Sequence, residues 1–353
     1  MMKSFYTYFL YSITLLFFLS VKCFGTEIGV YYYPGWNKPG IDAWEPIRKY
    51  PDRMPVLGWY QEGEDKVIQQ QLSWMAEYGI TYIAYDWYWD KNTGPKNRTF
   101  AIDAYLRNSD KTNVKFALLW ANHTGTPESI EEFDNIVIYW LEHYFHNKKY
   151  LTINERPVVF IFSSSRLEND ALAFGSNTKE LLDRARKLAI QHGFKGIYFI
   201  GSSGYDKNQK LQYEYPENTY DAISAYNYHV GINKNNFFEM SSTDYPSLTK
   251  GYEDTWKRIL TSSSLPYIIP VTSGWDRRPW GGSQPSEHDL SYSTPEEFGV
   301  QIRNAKNMLK EYPGKTLNNI VICCWNEFGE GSYIEPAQKY GLQYLDELSK
   351  SIR

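Results

Sequence analysis

The sequence predicts an α/β protein built as a single (β/α)8 barrel. Three observations carry this: eight apolar, β-rich runs, helix-like segments between most of them, and a first run that ends without a glycine-rich phosphate turn. The runs are Ile28–Tyr33, Thr81–Trp87, Lys115–Trp120, Pro157–Phe162, Gly196–Gly201, Asp221–Tyr226, Tyr267–Thr272 and Asn319–Trp325. Their length and their β-branched and aromatic content suit strands buried on both faces. Helical periodicity marks Asp65–Tyr78, Thr99–Arg107, Pro127–Phe145, Thr178–His192, Leu248–Leu260 and Pro295–Lys310, whereas the fifth connection is poor in helix. A doubly wound sheet is disfavoured because Pro34-Gly35-Trp36 follows the first strand where a phosphate-binding turn would open a helix. No repeat or low-complexity linker divides the chain, so residues 26–353 read as one domain.

The chain starts with Met1-Met2-Lys3, an apolar run from Tyr6 to Leu19, and Val21-Lys22-Cys23-Phe24-Gly25. This is the pattern of a signal peptide over residues 1–25. Its apolar core is too short to span a bilayer, so export with no membrane span in the mature chain is expected. Acylation of Cys23 is the alternative, disfavoured because Lys22 stands where a small residue is needed. Removing residues 1–25 takes two of the 37 basic residues and none of the 41 acidic ones, making the formal charge of −4 more negative. With no basic run, a nucleic-acid partner is not expected. Aromatic residues form 17% of the chain, with 31 tyrosines and 12 tryptophans, which suits stacking against the apolar faces of sugars. Cys323 and Cys324 are the cysteines left after processing. Adjacent on a strand, they should point to opposite faces as small buried residues, with no disulfide framework and no metal spacing. Asp86 and Asp90 lack the Asp-x-Asp spacing of a divalent-ion site, so neither metal nor cofactor is expected.

In such a barrel the site lies at the C-terminal ends of the strands. Strand one ends in Tyr32 and, beyond it, Trp36; strand two in Asp86, Trp87 and Trp89; strand three in Trp120, Asn122 and His123; strand six in Tyr226 and Asn227. Strand seven delivers Trp275-Asp276-Arg277, and strand eight Trp325-Asn326-Glu327-Phe328-Gly329-Glu330-Gly331. Rings, amides, imidazoles and carboxylates on one rim fit a pocket for a polyhydroxylated ring, hence an oligo- or polysaccharide substrate. Glu327 and Glu330 are the candidate catalytic pair. Residues three apart on a turn have β-carbons roughly 5–6 Å apart, near the carboxyl spacing of about 5–5.5 Å used in retaining glycoside cleavage. Glu335, before Pro336, reads better as a structural carboxylate that holds the loop.

These residues resemble the endo-α-mannosidase family of glycoside hydrolases, family 99, and the wider group of family-99-like domains, some of them assigned to polysaccharide biosynthesis as glycosyltransferases. The likeness rests chiefly on Trp325 to Gly331 with Ile334-Glu335-Pro336, and secondarily on Gly29 to Pro34 and on Tyr78 to Tyr82 leading to Asp86-Trp87. It implies endo-acting retaining cleavage through a 1,2-anhydro intermediate, Glu327 assisting the 2-hydroxyl as base and Glu330 serving as acid and then base. Phe328-Gly329 departs from the more aromatic and polar pair expected between the glutamates, so the resemblance carries the chemistry further than the sugar. A glycosyltransferase on the same barrel and a carbohydrate-binding protein without turnover are the competing expectations. Export disfavours the first, since activated sugar nucleotides are consumed inside cells, and the presence of both glutamates disfavours the second.

Overall fold

The computed structural model describes residues 25–353 other than 96, 97, 125, 126, 207, 214 and 217. The signal segment, Cys23 included, thus lies outside the described residues except for Gly25. The barrel strands are β1 Glu27–Tyr32, β2 Tyr82–Trp87, β3 Lys115–Trp120, β4 Arg156–Ile161, β5 Tyr198–Ser202, β6 Ala222–Ser224, β7 Ile269–Thr272 and β8 Asn319–Cys323. They pair in parallel from β1 through β6 in chain order, and β8 lies between β7 and β1. A bridge from Ile223 to Tyr267 and the hydrogen bond from Ile268 N to Ile223 O (3.0 Å) close the ring between β6 and β7. This is a (β/α)8 barrel.

The helices are α1 Asp65–Glu77, α2 Phe100–Asn108, α3 Ile130–Trp140, α4 Ser164–Ala173, α5 Thr178–Gln191, α6 Tyr245–Ser262, α7 Pro295–Glu311 and α8 Gln343–Ile352. Five of them begin with a side chain accepting from the first turn: Ser129 for α3, Ser163 for α4, Asn177 for α5, Asp244 for α6, and Thr294 for α7, where Glu297 completes a capping box. Their apolar stripes face the sheet; in α7, Phe298, Ile302, Ala305 and Leu309 recur at helical spacing and are buried. None of the described helices is long and apolar enough to cross a membrane.

Two helices were not anticipated. The α4 sequence buries little besides Leu167 and Ala171, and α8 follows the last strand, where no further strand marks its far end. The fifth connection carries a short hairpin, Gly204–Tyr205 with Leu211–Gln212, and no helix among the described residues. The predicted sixth strand is shorter than expected, so Tyr226 to His229 leave the sheet and enter the rim.

Alternation along the strands divides the core in two. Tyr31, Tyr82, Ala84, Ala117, Leu119, Val158, Phe160 and Val321 fill the barrel interior, while Tyr32, Ile83, Tyr85, Leu118, Val159 and Ile322 pack with the helices. Gly29 belongs to this interior: an added β-carbon would fall 2.1 Å from the Tyr82 ring. Cys323 and Cys324 depart from the expected pair of separate thiols. A disulfide joins them across a cis peptide bond, because β8 ends at Cys323 and the strand's alternation does not extend to Cys324.

Candidate active site

Beyond β8 the chain forms a tight hairpin in which Asn326–Glu327 pairs with Ser332–Tyr333, and the turn closes with Glu330 N donating to Glu327 O (3.2 Å). Both glutamates therefore sit three residues apart on one turn. They line a cavity of about 340 Å³ at the C-terminal mouth of the barrel, with Tyr33, Asp86, Tyr88, Arg98, His123, Thr124, Phe162, Tyr226, Asn227, His229, Trp275 and Trp280. A second space of about 470 Å³, lined by Lys38 and Trp89 among others, shares Tyr88, Arg98 and Thr124 with it.

The acids of this cavity are buried, and burial pushes their carboxyl groups up. Glu327 is 4% exposed and raised well above the usual range by burial, then by Glu330 and Asp86. Glu330 rises to about 7 through burial, with the Arg277 guanidinium pulling the other way. Asp86 is raised by burial against the hydrogen bond from Tyr226. The Tyr226 hydroxyl lies 3.0 Å from both Asp86 Oδ2 and Glu327 Oε1. A hydroxyl has one hydrogen to donate, so both contacts are hydrogen bonds only if one of the two carboxyl groups carries a proton. Asp86 Oδ1 and Glu327 Oε2 are buried with no partner, and these are the atoms a ligand's hydroxyls would satisfy.

The loop is fixed from behind. Arg53, 7% exposed, donates to Asp276 O (3.0 Å), to Phe328 O (2.8 Å) and to the Asp276 carboxylate. Asp276 N donates to Glu330 O (2.7 Å). Gly331 sits at φ +72°, where a β-carbon would meet Asp276 N at 2.8 Å, so a side chain there would be strained and crowded. Glu335 accepts from Gln71 Nε2 and Tyr60 OH (both 2.9 Å) behind the same hairpin, the loop-holding place expected for it.

Of the residues expected at the site, Glu327, Glu330, Asp86, His123, Tyr226, Asn227 and Trp275 meet in the cavity, and Trp89 lines the adjoining space. The others fall elsewhere. Tyr32 and Trp87 are on the helix-facing side of their strands, bonded to Gln71 and to the Tyr144 hydroxyl, so Tyr33 and Tyr88 line the cavity instead. Trp120 packs against Trp140, and Trp325 is fully buried in the core. Trp36 stacks on Trp44 at 3.9 Å and donates to Asn326 O (3.0 Å), supporting the hairpin. Asn122 exchanges hydrogen bonds with Ser163, and Asn326 with the backbone of Tyr33. Asp276 is consumed by Arg53 and Arg278. Arg277 is outside the cavity lining and acts on it through its charge near Glu330. Asn227 lines the cavity with its amide engaged, Nδ2 donating to Ser332 Oγ (3.2 Å) and Oδ1 accepting from Tyr252.

Sequence reasoning passed over Tyr33, Tyr88, Arg98, Thr124, Phe162 and Trp280, and it placed His229 on the strand-six rim as a structural histidine more than a ligand. Strict alternation from Tyr31 and from Asp86 would have pointed to Tyr33 and Tyr88. Nothing local marks Trp280, whose ring reaches the Gly329 turn from another loop.

The family model described as Glycosyltransferase WbsX matches residues 48–348. A relative, the uncharacterized protein WxcX of Xanthomonas campestris pv. campestris, is 22% identical over 341 residues, covering 88% of this chain and 46% of WxcX. The chain thus spans less than half the length of that relative. Among solved structures, a glycoside hydrolase-like protein aligns with TM-score 0.66 at 16% identity, over 93% of this chain and 94% of the other. The GH99 endo-alpha-mannosidase from Bacteroides thetaiotaomicron aligns with TM-score 0.65 at 15% identity, over 93% and 97%. At these identities the likeness shows the fold.

Proposed function

The chain belongs to the WbsX glycosyltransferase family, whose barrel here is family-99-like, and on that premise we propose an exported retaining glycoside hydrolase acting on an oligo- or polysaccharide. The observation that carries this reading is the pair Glu327 and Glu330 on one turn in one cavity, with burial raising both carboxyl groups. Glu330, raised to about 7, keeps a substantial protonated share in neutral solution and is suited to protonate a departing oxygen. Glu327 shares the Tyr226 hydroxyl with Asp86. With the shared proton on Asp86, Glu327 is a carboxylate able to take a hydrogen from a substrate 2-hydroxyl.

The steps then balance. Glu327 takes the 2-hydroxyl proton as O2 bonds to the anomeric carbon, the glycosidic bond breaks, and Glu330 gives its proton to the leaving oxygen. In the second half Glu330 takes a proton from water, the water oxygen bonds to the anomeric carbon, the bond from that carbon to O2 breaks, and Glu327 returns its proton to O2. An endo-acting, α-mannoside-like cleavage is the closest substrate reading. Export is supported by the leader pattern and by the Cys323–Cys324 disulfide, a linkage favoured in oxidising compartments.

A second reading, a transferase of polysaccharide biosynthesis, is favoured by the family's description. Incubating the purified chain with a panel of mannans and bacterial polysaccharides, with and without sugar nucleotides, separates the two. New reducing ends without a nucleotide are expected. Product formed only with a sugar nucleotide would replace hydrolysis by transfer, and binding without product would leave a carbohydrate-binding protein.

A further inference from the structure

Next to the spent amide of Asn227, the cavity wall offers a histidine held at one nitrogen and free at the other. His229 lines the cavity, and its Nδ1 lies 3.0 Å from Nε2 of His288, which is 4% exposed. The other nitrogen of His288, Nδ1, lies 3.1 Å from both the carbonyl oxygen and Oγ of Ser242, and that hydroxyl lies 2.7 Å from Ser291 Oγ. The carbonyl only accepts, and the Ser242 hydroxyl can give its hydrogen to Ser291 Oγ, so a hydrogen on His288 Nδ1 satisfies both Ser242 oxygens and leaves Nε2 bare. His229 must then donate from its own Nδ1. Trp275 fixes both rings, stacking along His288 (5.6 Å, 23°) and meeting His229 at 80° with centroids 4.3 Å apart.

We propose that His229 is a hydroxyl acceptor of the cavity: His288 locks it as the Nδ1–H tautomer, which leaves Nε2 bare for a hydroxyl of the substrate. Nε2 makes no hydrogen bond among the described residues. Desolvation at the cavity wall and the neighbouring His288 push the His229 imidazole below its usual range, so it stays neutral in neutral solution. Such an atom accepts from a free hydroxyl and is repelled by a carbonyl, carboxylate or ester oxygen. It therefore selects glycans that carry an unsubstituted hydroxyl at the position it faces. The identity of the donor rests on the carbohydrate reading above, whereas the tautomer does not.

Long-range proton–nitrogen NMR of the full chain with labelled histidine reads the tautomers directly at pH 7. Both His229 and His288 are expected as Nδ1–H, and His288→Leu is expected to release His229 to the Nε2–H form preferred by free imidazole. An Nε2–H or doubly protonated His229 in the unsubstituted chain would overturn the lock, whatever the glycosidase assay gives. With α-mannobiose as probe, His229→Phe should weaken binding about two- to tenfold, and His229→Gln, whose amide oxygen reaches near the Nε2 position, should restore it. Undiminished binding by the Phe variant would refute the acceptor role. Failure of the unsubstituted chain to bind α-mannobiose would count against the mannoside reading and leave the tautomer result to decide the lock.

Discussion

One hydroxyl hydrogen sets the charge of the site. Tyr226 stands between Asp86 and Glu327 at equal distances of 3.0 Å, so the unliganded site holds a proton among three side chains. Glu330 is the group whose titration an assay can follow. If it protonates the leaving oxygen, kcat/KM should fall as pH rises through about 7, where Glu330 loses its proton. Glu330→Gln should lose about 10²- to 10⁴-fold in kcat/KM on substrates with poor leaving groups, keep most kcat/KM on activated aryl glycosides, whose departure needs no acid, and lack the alkaline limb. Equal losses on both substrate types would remove Glu330 from the acid role. The sequence reading reached both glutamates because an apolar strand ran into a glycine-flanked acidic loop, whereas Tyr226's double contact joins groups 140 and 101 residues away and left no local mark.

The element that matters most is the Asn326–Tyr333 hairpin, whose shape is imposed from outside. Arg53 arrives from a short helical turn far upstream, Pro51–Arg53, and ties Asp276 and Phe328 together while being almost fully buried. Arg53→Met keeps much of the stem and deletes the fork. It should cost about 3 kcal/mol, since it leaves two carbonyls without their donor and the Asp276 carboxylate with Arg278 alone. Urea denaturation measures this, and a loss under about 1 kcal/mol would show that Arg278 suffices. Strand ends were legible to within a residue or two, yet which rim side chain turned inward was not. Tyr32 and Trp87 were expected inside and lie outside, one position from Tyr33 and Tyr88, because a period of two makes a one-residue offset a change of face.

At the scale of the whole molecule, buried ionisable groups oppose each other in their effect on stability. Burial raises Glu330 to about 7 and Glu335 to about 8, so the folded chain holds protons that the unfolded chain releases near 4.5, and stability declines as pH climbs through that interval. Burial depresses His288, so the folded chain refuses a proton that the unfolded chain takes up near 6.5, and stability declines as pH drops below that point. The melting temperature should therefore fall as pH climbs from about 6 to 8, and Glu335→Gln, which cannot ionise, should flatten that decline. A melting temperature that rises steadily to pH 8 would contradict this. By itself the sequence determined the eight-strand barrel and the acidic loop beyond its last strand, because hydrophobic periodicity and strand–loop punctuation are local properties of the chain. The tertiary structure alone decided the His229–His288 contact, the Tyr226 bridge between Asp86 and Glu327, the Arg53 brace and the pairing of Cys323 with Cys324. The first three depend on side chains brought together from distant segments, and the last on where the strand gives way to the loop.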